Sequence, residues 1–138
     1  MKTLEIYCDG SSSGDAKLMG VGIVFVYNNK VLKHYSYKIP FEGESFIAEY
    51  IAVIYALFMI DFYVENIYVY TDNPPIISSY MGIKPDNNIA KKLAELLRER
   101  VDNLKCKHFR IRYCKSHSTN VFHNLADKLA LEGRNKSF

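Results

Sequence analysis

The chain has 138 residues, 49% hydrophobic and 24% charged, enough apolar content and length for one domain with a proper core, which excludes a disordered chain. The net charge of +3 is unevenly placed: residues 1–83 carry 5 Lys/Arg against 9 Asp/Glu, and residues 84–138 carry 13 against 6. An acidic half beside a basic half suits a metal site next to a polyanion-binding face, and equally an ordinary solvated surface.

The elements follow in chain order. Thr3 to Asp9 alternates as a strand, with Leu4, Ile6 and Cys8 on one face and Glu5, Tyr7 and Asp9 on the other, and Asp9-Gly10 reads as a turn into a Ser/Gly loop. VGIVFVY (21–27) and VLKHYSYKI (31–39) read as two strands joined by a tight turn at Asn28-Asn29, because Asn tolerates positive φ. Ser45 is placed to cap a helix running to about Phe62. Within it, the longest apolar run, Phe46 to Ile60, contains Glu49 and falls short of the ~18–20 residues of a membrane span. NIYVYTD (66–72) is a fourth strand that again ends in Asp. A short helix from Pro74 to about Tyr80 comes next, then an amphipathic helix over 89–101 capped by Asn87 or Asn88. HFRIRYC (108–114) is the fifth strand, and NVFHNLADKLALEG (120–133) the last helix, with Gly133 as its expected stop. The order β-β-β-α-β-α-α-β-α predicts one α/β domain over residues 1–138. It has a five-stranded mixed sheet, antiparallel in its first three strands and parallel through the fourth and fifth, with helices on both faces. Sites in such sheets lie at the carboxyl ends of the parallel strands.

The carboxylates are the candidate chemistry. Glu49 is the one charged side chain between Phe46 and Ile60. A carboxylate there is costly unless it is exposed, paired or bound to a cation. Asp72 repeats the strand-end placement of Asp9, and parallel pairing of the first and fourth strands brings both to one edge, where Glu49 can cover them. Crowded carboxylates repel unless a divalent cation neutralises them, and oxygen ligands without Cys or His suit Mg²⁺ or Mn²⁺. Asp127 on the last helix is a fourth candidate, or an ordinary surface residue. Cys8, Cys106 and Cys114 have no metal-ligand spacing and cannot all pair. With no signal-like segment before the first strand, that composition suits free thiols in the cytoplasm.

Taken in order, YCDGSSSG, IAEYIAVIYAL, VYTDN and KSHSTNVFHNLADKLA resemble the type 1 ribonuclease H family across nearly the whole chain. The resemblance implies a ribonuclease H-like fold and hydrolysis of the RNA strand of an RNA/DNA hybrid by a monomer that needs no membrane. It implies two Mg²⁺ or Mn²⁺ ions held by Asp9, Glu49, Asp72 and Asp127, leaving 3′-hydroxyl and 5′-phosphate ends. His117 matches the family's loop histidine, associated with proton transfer or product departure; otherwise it is a surface histidine. Lys115 either holds a phosphate or is merely solvated.

The chain also departs from the family. Ser45 and Phe46 stand where many relatives carry two asparagines that read the minor groove, and Pro74 and Pro75 follow Asp72-Asn73 where a glutamine is frequent. Those changes bear on discrimination of the 2′-hydroxyl more than on catalysis. Gly10, Ser11, Ser12, Ser13, Ser45 and Asn73 remain as candidate nucleic-acid contacts. His123 replaces a usual asparagine, either as a group behind the metal or phosphate site or as a bystander. No basic helical handle precedes the long helix, so affinity falls to the body of the domain, with Lys84, Lys91, Lys92, Lys105 and Lys107 as candidates, and is expected to depend steeply on salt. A phosphatase of the aspartyl-phosphate type is set aside because Tyr7 occupies its nucleophile position. Another nuclease of the same fold, with relaxed choice extending to double-stranded RNA, and a catalytically silent nucleic-acid-binding domain are the rival readings.

Overall fold

The computed structural model describes residues 2–115 and 119–137. Nine elements follow in the expected order: β1 (Thr3–Ser12), β2 (Met19–Tyr27), β3 (Lys30–Ile39), α1 (Ser45–Phe58), β4 (Asn66–Thr71), α2 (Pro74–Tyr80), α3 (Asn88–Asp102), β5 (His108–Tyr113) and α4 (Val121–Arg134). The sheet order is β3-β2-β1-β4-β5. The β1–β2 and β2–β3 pairs are antiparallel, and β1–β4 and β4–β5 are parallel. Asn28 and Asn29 take φ of 51° and 62°, the two positive angles a tight hairpin needs.

Side-chain parity sets the layers. Leu4, Ile6, Cys8, Val21, Ile23, Phe25, Ile67 and Val69 face α1 and form the larger core with its apolar wall. Tyr7, Val24 and Val26 face the other way, onto Ala126 and Leu129 of α4. β2 is therefore buried on both faces, with α1 on one and α4 on the other. Helix α4 can lie this close because β2 has glycines beneath it: a Cβ on Gly22 would stand 2.0 Å from the Ala126 carbonyl oxygen.

Four local expectations are corrected. Asp9-Gly10 is not a turn: β1 continues to Ser12, with Asp9 opposite Gly22 and Gly10 opposite Val21. Glycine is needed at position 10 because α1 crosses there, and an added Cβ would meet the Ala48 carbonyl carbon at 2.2 Å. Ser45 is the first residue of α1 rather than its cap; Glu44 holds the cap position, with no side-chain cap bond. That helix ends at Phe58, short of Phe62, and Ile60 and Val64 then turn into the core. Gly133 lies inside α4, where its missing side chain admits the Tyr37 carbonyl oxygen, so the helix runs on to Arg134. The asparagine caps are real: Asn87 accepts from Ile89 N and Ala90 N, and Asn120 from Phe122 N and His123 N.

Candidate active site

The parallel register of β1 on β4, with Tyr7 opposite Tyr70, carries both chains to the same edge of the sheet. Asp9 sits two residues beyond Tyr7, and Asp72 is the first residue past β4. The close passage of α1 over Gly10 delivers Glu49 to the same place. Asp9, Glu49 and Asp72 each offer one carboxylate oxygen, and these atoms lie within 4.8 Å of one another. Asp127, exposed on α4, stands outside that group of three but close enough to share a proton with Asp9 and to repel it when ionised.

Such crowding has a measurable electrostatic signature. Burial, first, and then the Asp127 contact and repulsion from Asp72, Asp127 and Glu49 push the Asp9 carboxyl up to about 9. Burial and Asp72 also raise Glu49, while a hydrogen bond donated by Asn73 Nδ2 to Glu49 Oε2 opposes the rise. No Lys or Arg pairs with Asp9, Glu49 or Asp72 among the described residues. Asp72 Oδ1 is buried without a hydrogen-bond partner there. Hard oxygen donors from three elements, an orphaned acceptor and uncompensated negative charge fit a small divalent cation.

The sign of the pH dependence follows. Without metal, the folded chain keeps on Asp9 a proton that the unfolded chain has released, so stability falls as pH rises between about 4 and 9. Glu49, also raised, acts in the same direction. A divalent cation removes that penalty. The Tm increment produced by excess Mg²⁺ over EDTA should therefore grow as pH is raised across this window, and calorimetric scans check it; an increment that shrinks with pH contradicts the electrostatic account.

The candidate substrate contacts divide. Ser12 Oγ donates to Gly43 O at 2.7 Å, and Ser13 Oγ to Asp15 Oδ1 at 2.6 Å, so both protons are engaged within the chain. Ser11 Oγ accepts from Arg134 Nη1 at 3.1 Å and keeps its own proton to donate outward. Gly10 is half-buried under α1, and Ser45 is exposed at the start of that helix. Asn73 Nδ2 donates to Glu49 Oε2. Lys115 is exposed just beyond β5, and His117 lies outside the described residues. One contributor was missed from sequence. Arg134 ties the end of β1 to α4, donating to Ser12 O at 2.9 Å as well as to Ser11; a base in a last helical turn gives no hint of that. His123, expected either as a group behind the site or as a bystander from its position four residues before Asp127, is buried, 1% exposed, with Nε2 3.6 Å from Asp72 Oδ2.

Residues 1–135 match the RNase H family model. The chain belongs to the RNase H family. Its enzyme class is accordingly ribonuclease H, a hydrolase. Solved structures of similar fold include RNase H1 from the halophilic archaeon Halobacterium salinarum NRC-1, at 22% identity and TM-score 0.82, covering 95% of this chain and 96% of that one. The N-terminal RNase H domain of a Mycobacterium tuberculosis protein matches at 18% identity and TM-score 0.82, covering 97% and 94%. LC11-RNase H1, solved in complex with an RNA/DNA hybrid, matches at 23% identity and TM-score 0.71, covering 95% and 96%. No curated protein matches the chain. In this RNase H, the convergent carboxylates lie where the sheet order changes direction, between β1 with its antiparallel neighbour and the parallel β4. No helix among the described residues is long and apolar enough to cross a membrane.

Proposed function

We propose that this RNase H is a monomeric, cytoplasmic endoribonuclease that hydrolyses the RNA strand of RNA/DNA hybrids with Mg²⁺ or Mn²⁺, two ions per site, leaving 3′-hydroxyl and 5′-phosphate ends. The observation that carries the reading is the meeting of Asp9, Glu49 and Asp72 within 4.8 Å, without a Lys or Arg partner among the described residues, in a chain of this family. Asp9, Glu49, Asp72 and Asp127 would hold the ions. When bound, the ions supply Lewis-acid stabilisation of phosphate charge and a water acidic enough to attack at neutral pH.

The chain's own residues do the rest. Asn73 fixes one oxygen of Glu49, leaving the other free to orient a ligand. Asp127, exposed on α4 and in contact with Asp9, would meet solvent and the entering phosphate. Ser11 offers a hydroxyl proton beside the site, and His117 is assigned proton transfer or product departure. Lys84 and Lys91, with Glu95 and Arg98, line an open cleft of about 600 Å³ between α3 and the turn before it, where the two lysines would meet the hybrid's backbone. Lys92 and Lys105 are exposed, and Lys107 is loosely paired with Glu65 at 4.0 Å. A second reading, relaxed choice that includes double-stranded RNA, is favoured by one observation: Phe46 packs against the core and offers no hydrogen bond to the minor groove.

The test is cleavage of end-labelled RNA/DNA hybrid, double-stranded RNA, single-stranded RNA and DNA duplex, in Mg²⁺ and in Mn²⁺, with Asp72→Asn alongside. Cutting of the hybrid's RNA strand alone, abolished in the variant, is expected. Cutting of double-stranded RNA as well selects the relaxed reading. Binding of the hybrid without cutting overturns the enzyme reading in favour of a silent binding domain.

A further inference from the structure

His123 is an anomaly in the site. It occupies the first turn of α4, its backbone N–H held by the Asn120 cap at 2.9 Å. The ring is 1% exposed. Its Nε2 lies 3.6 Å from Asp72 Oδ2. Its Nδ1 is buried without a hydrogen-bond partner among the described residues, as is Asp72 Oδ1. A neutral imidazole has one donor and one acceptor nitrogen, and a buried nitrogen left without a partner is costly. A bystander filling volume on a helix would be better served by an apolar ring. The polar ring beside Asp72 therefore has a use that offsets its burial.

We propose that His123 is the positioning residue for Asp72: its Nε2–H donates to Oδ2 and so presents Oδ1 to the divalent cation. The inference rests on the metal-site reading above and adds to it the group that fixes one ligand's rotation. Asp72 needs such a group. It stands just past the end of β4, where the ladder with β5 stops among the described residues, and its Oδ1 is buried there without a hydrogen-bond partner. A small shift of either side chain closes the 3.6 Å contact, and a cation drawing Oδ1 would leave Oδ2 as the acceptor. Groups that orient metal-ligating side chains are typically worth about 10–100-fold in metal affinity or activity. In this arrangement Asn73 orients Glu49 and His123 orients Asp72, so two of the three converging carboxylates each have a dedicated nitrogen donor.

Two substitutions separate positioning from packing. His123→Phe keeps a ring of similar size and removes the donor; His123→Gln places an amide N–H near the position of Nε2. Calorimetric titration of Mn²⁺ into the wild-type and variant proteins without substrate gives the affinity, melting in EDTA gives the fold, and hybrid cleavage gives kcat and KM. The expected result for His123→Phe is a Tm close to wild type, Mn²⁺ affinity down about 10-fold or more, and kcat reduced with KM for the hybrid little changed. His123→Gln should stay within about 3-fold of wild type in both affinity and kcat. A His123→Phe protein that binds Mn²⁺ and turns over like wild type overturns the proposal. Should that variant fail to fold, the imidazole of the wild-type protein decides by ¹⁵N NMR: the Nε2–H tautomer is expected, and an Nδ1–H tautomer rejects the role. A wild-type chain that binds no Mn²⁺ at all would instead defeat the underlying metal-site reading, and the role of His123 with it.

Discussion

Asp9→Asn is expected to lose about 10³-fold or more of hybrid cleavage, some 4 kcal/mol of transition-state stabilisation, and yet to melt at a higher temperature than the wild type in EDTA. Both effects have one cause. Asp9 is 6% exposed and is pushed up by its burial, the Asp127 contact and repulsion from Asp72, Asp127 and Glu49. An amide of the same shape carries no charge to repel and donates hydrogen bonds to its acidic neighbours, so the metal-free fold gains. With cation present the comparison reverses: wild type gains the binding free energy, while the variant has lost a ligand oxygen with full anionic charge. Melting curves in EDTA and in Mg²⁺, with single-turnover cleavage, give the three numbers needed. An Asp9→Asn protein that cuts the hybrid at the wild-type rate removes Asp9 from the site altogether.

The second large effect is at a residue with no functional group. Gly10→Ala is expected to destabilise the chain by about 3 kcal/mol and to cut activity about 100-fold even at temperatures where the protein is folded. The new Cβ would stand 2.2 Å from the Ala48 carbonyl carbon, 2.4 Å from Glu49 N and 2.5 Å from Ala48 O. Those are backbone atoms, so no side-chain rotation relieves the contact; α1 has to move away from β1. The helix carries Glu49, and its displacement opens the carboxylate cluster. Gly14→Ala is the control, since nothing lies within 4 Å of a Cβ there. Urea melts of both variants together with kcat measure the two parts of the effect. Gly10→Ala with wild-type stability and rate would mean that α1 and β1 can separate without cost.

The contrast between these two residues shows what was legible in the sequence. Asp9, Asp72 and Glu49 stood out because a carboxylate at the end of an apolar strand, or inside an apolar helix, violates the local pattern, and such violations mark chemistry. The nine elements were legible for the complementary reason: their alternation, periodicity and asparagine caps are local. Gly10 was misread as a turn because its real constraint is the backbone of Ala48, far along the chain. Gly133 was misread as a helix stop for the same reason, its neighbour being Tyr37. The inward use of Ser12, Ser13 and Asn73 was hidden likewise, because a polar side chain looks the same in sequence whether its partner is a ligand or Gly43, Asp15 or Glu49.

The parallel pairing of β1 with β4 also governs how the protein comes into being. Thr3 and Asn66, bonded across that ladder, are 63 residues apart in the chain. The long loop between them must close before any contact rewards it, so this step belongs to the slower, millisecond-to-second class of folding events. Helical contacts are local and can form earlier, but no helix holds the site alone, since Glu49 sits on α1 and Asp127 on α4. Far-ultraviolet ellipticity should therefore return before catalysis when the denatured chain is refolded, and the appearance of cleavage would clock the zipping of the central ladder.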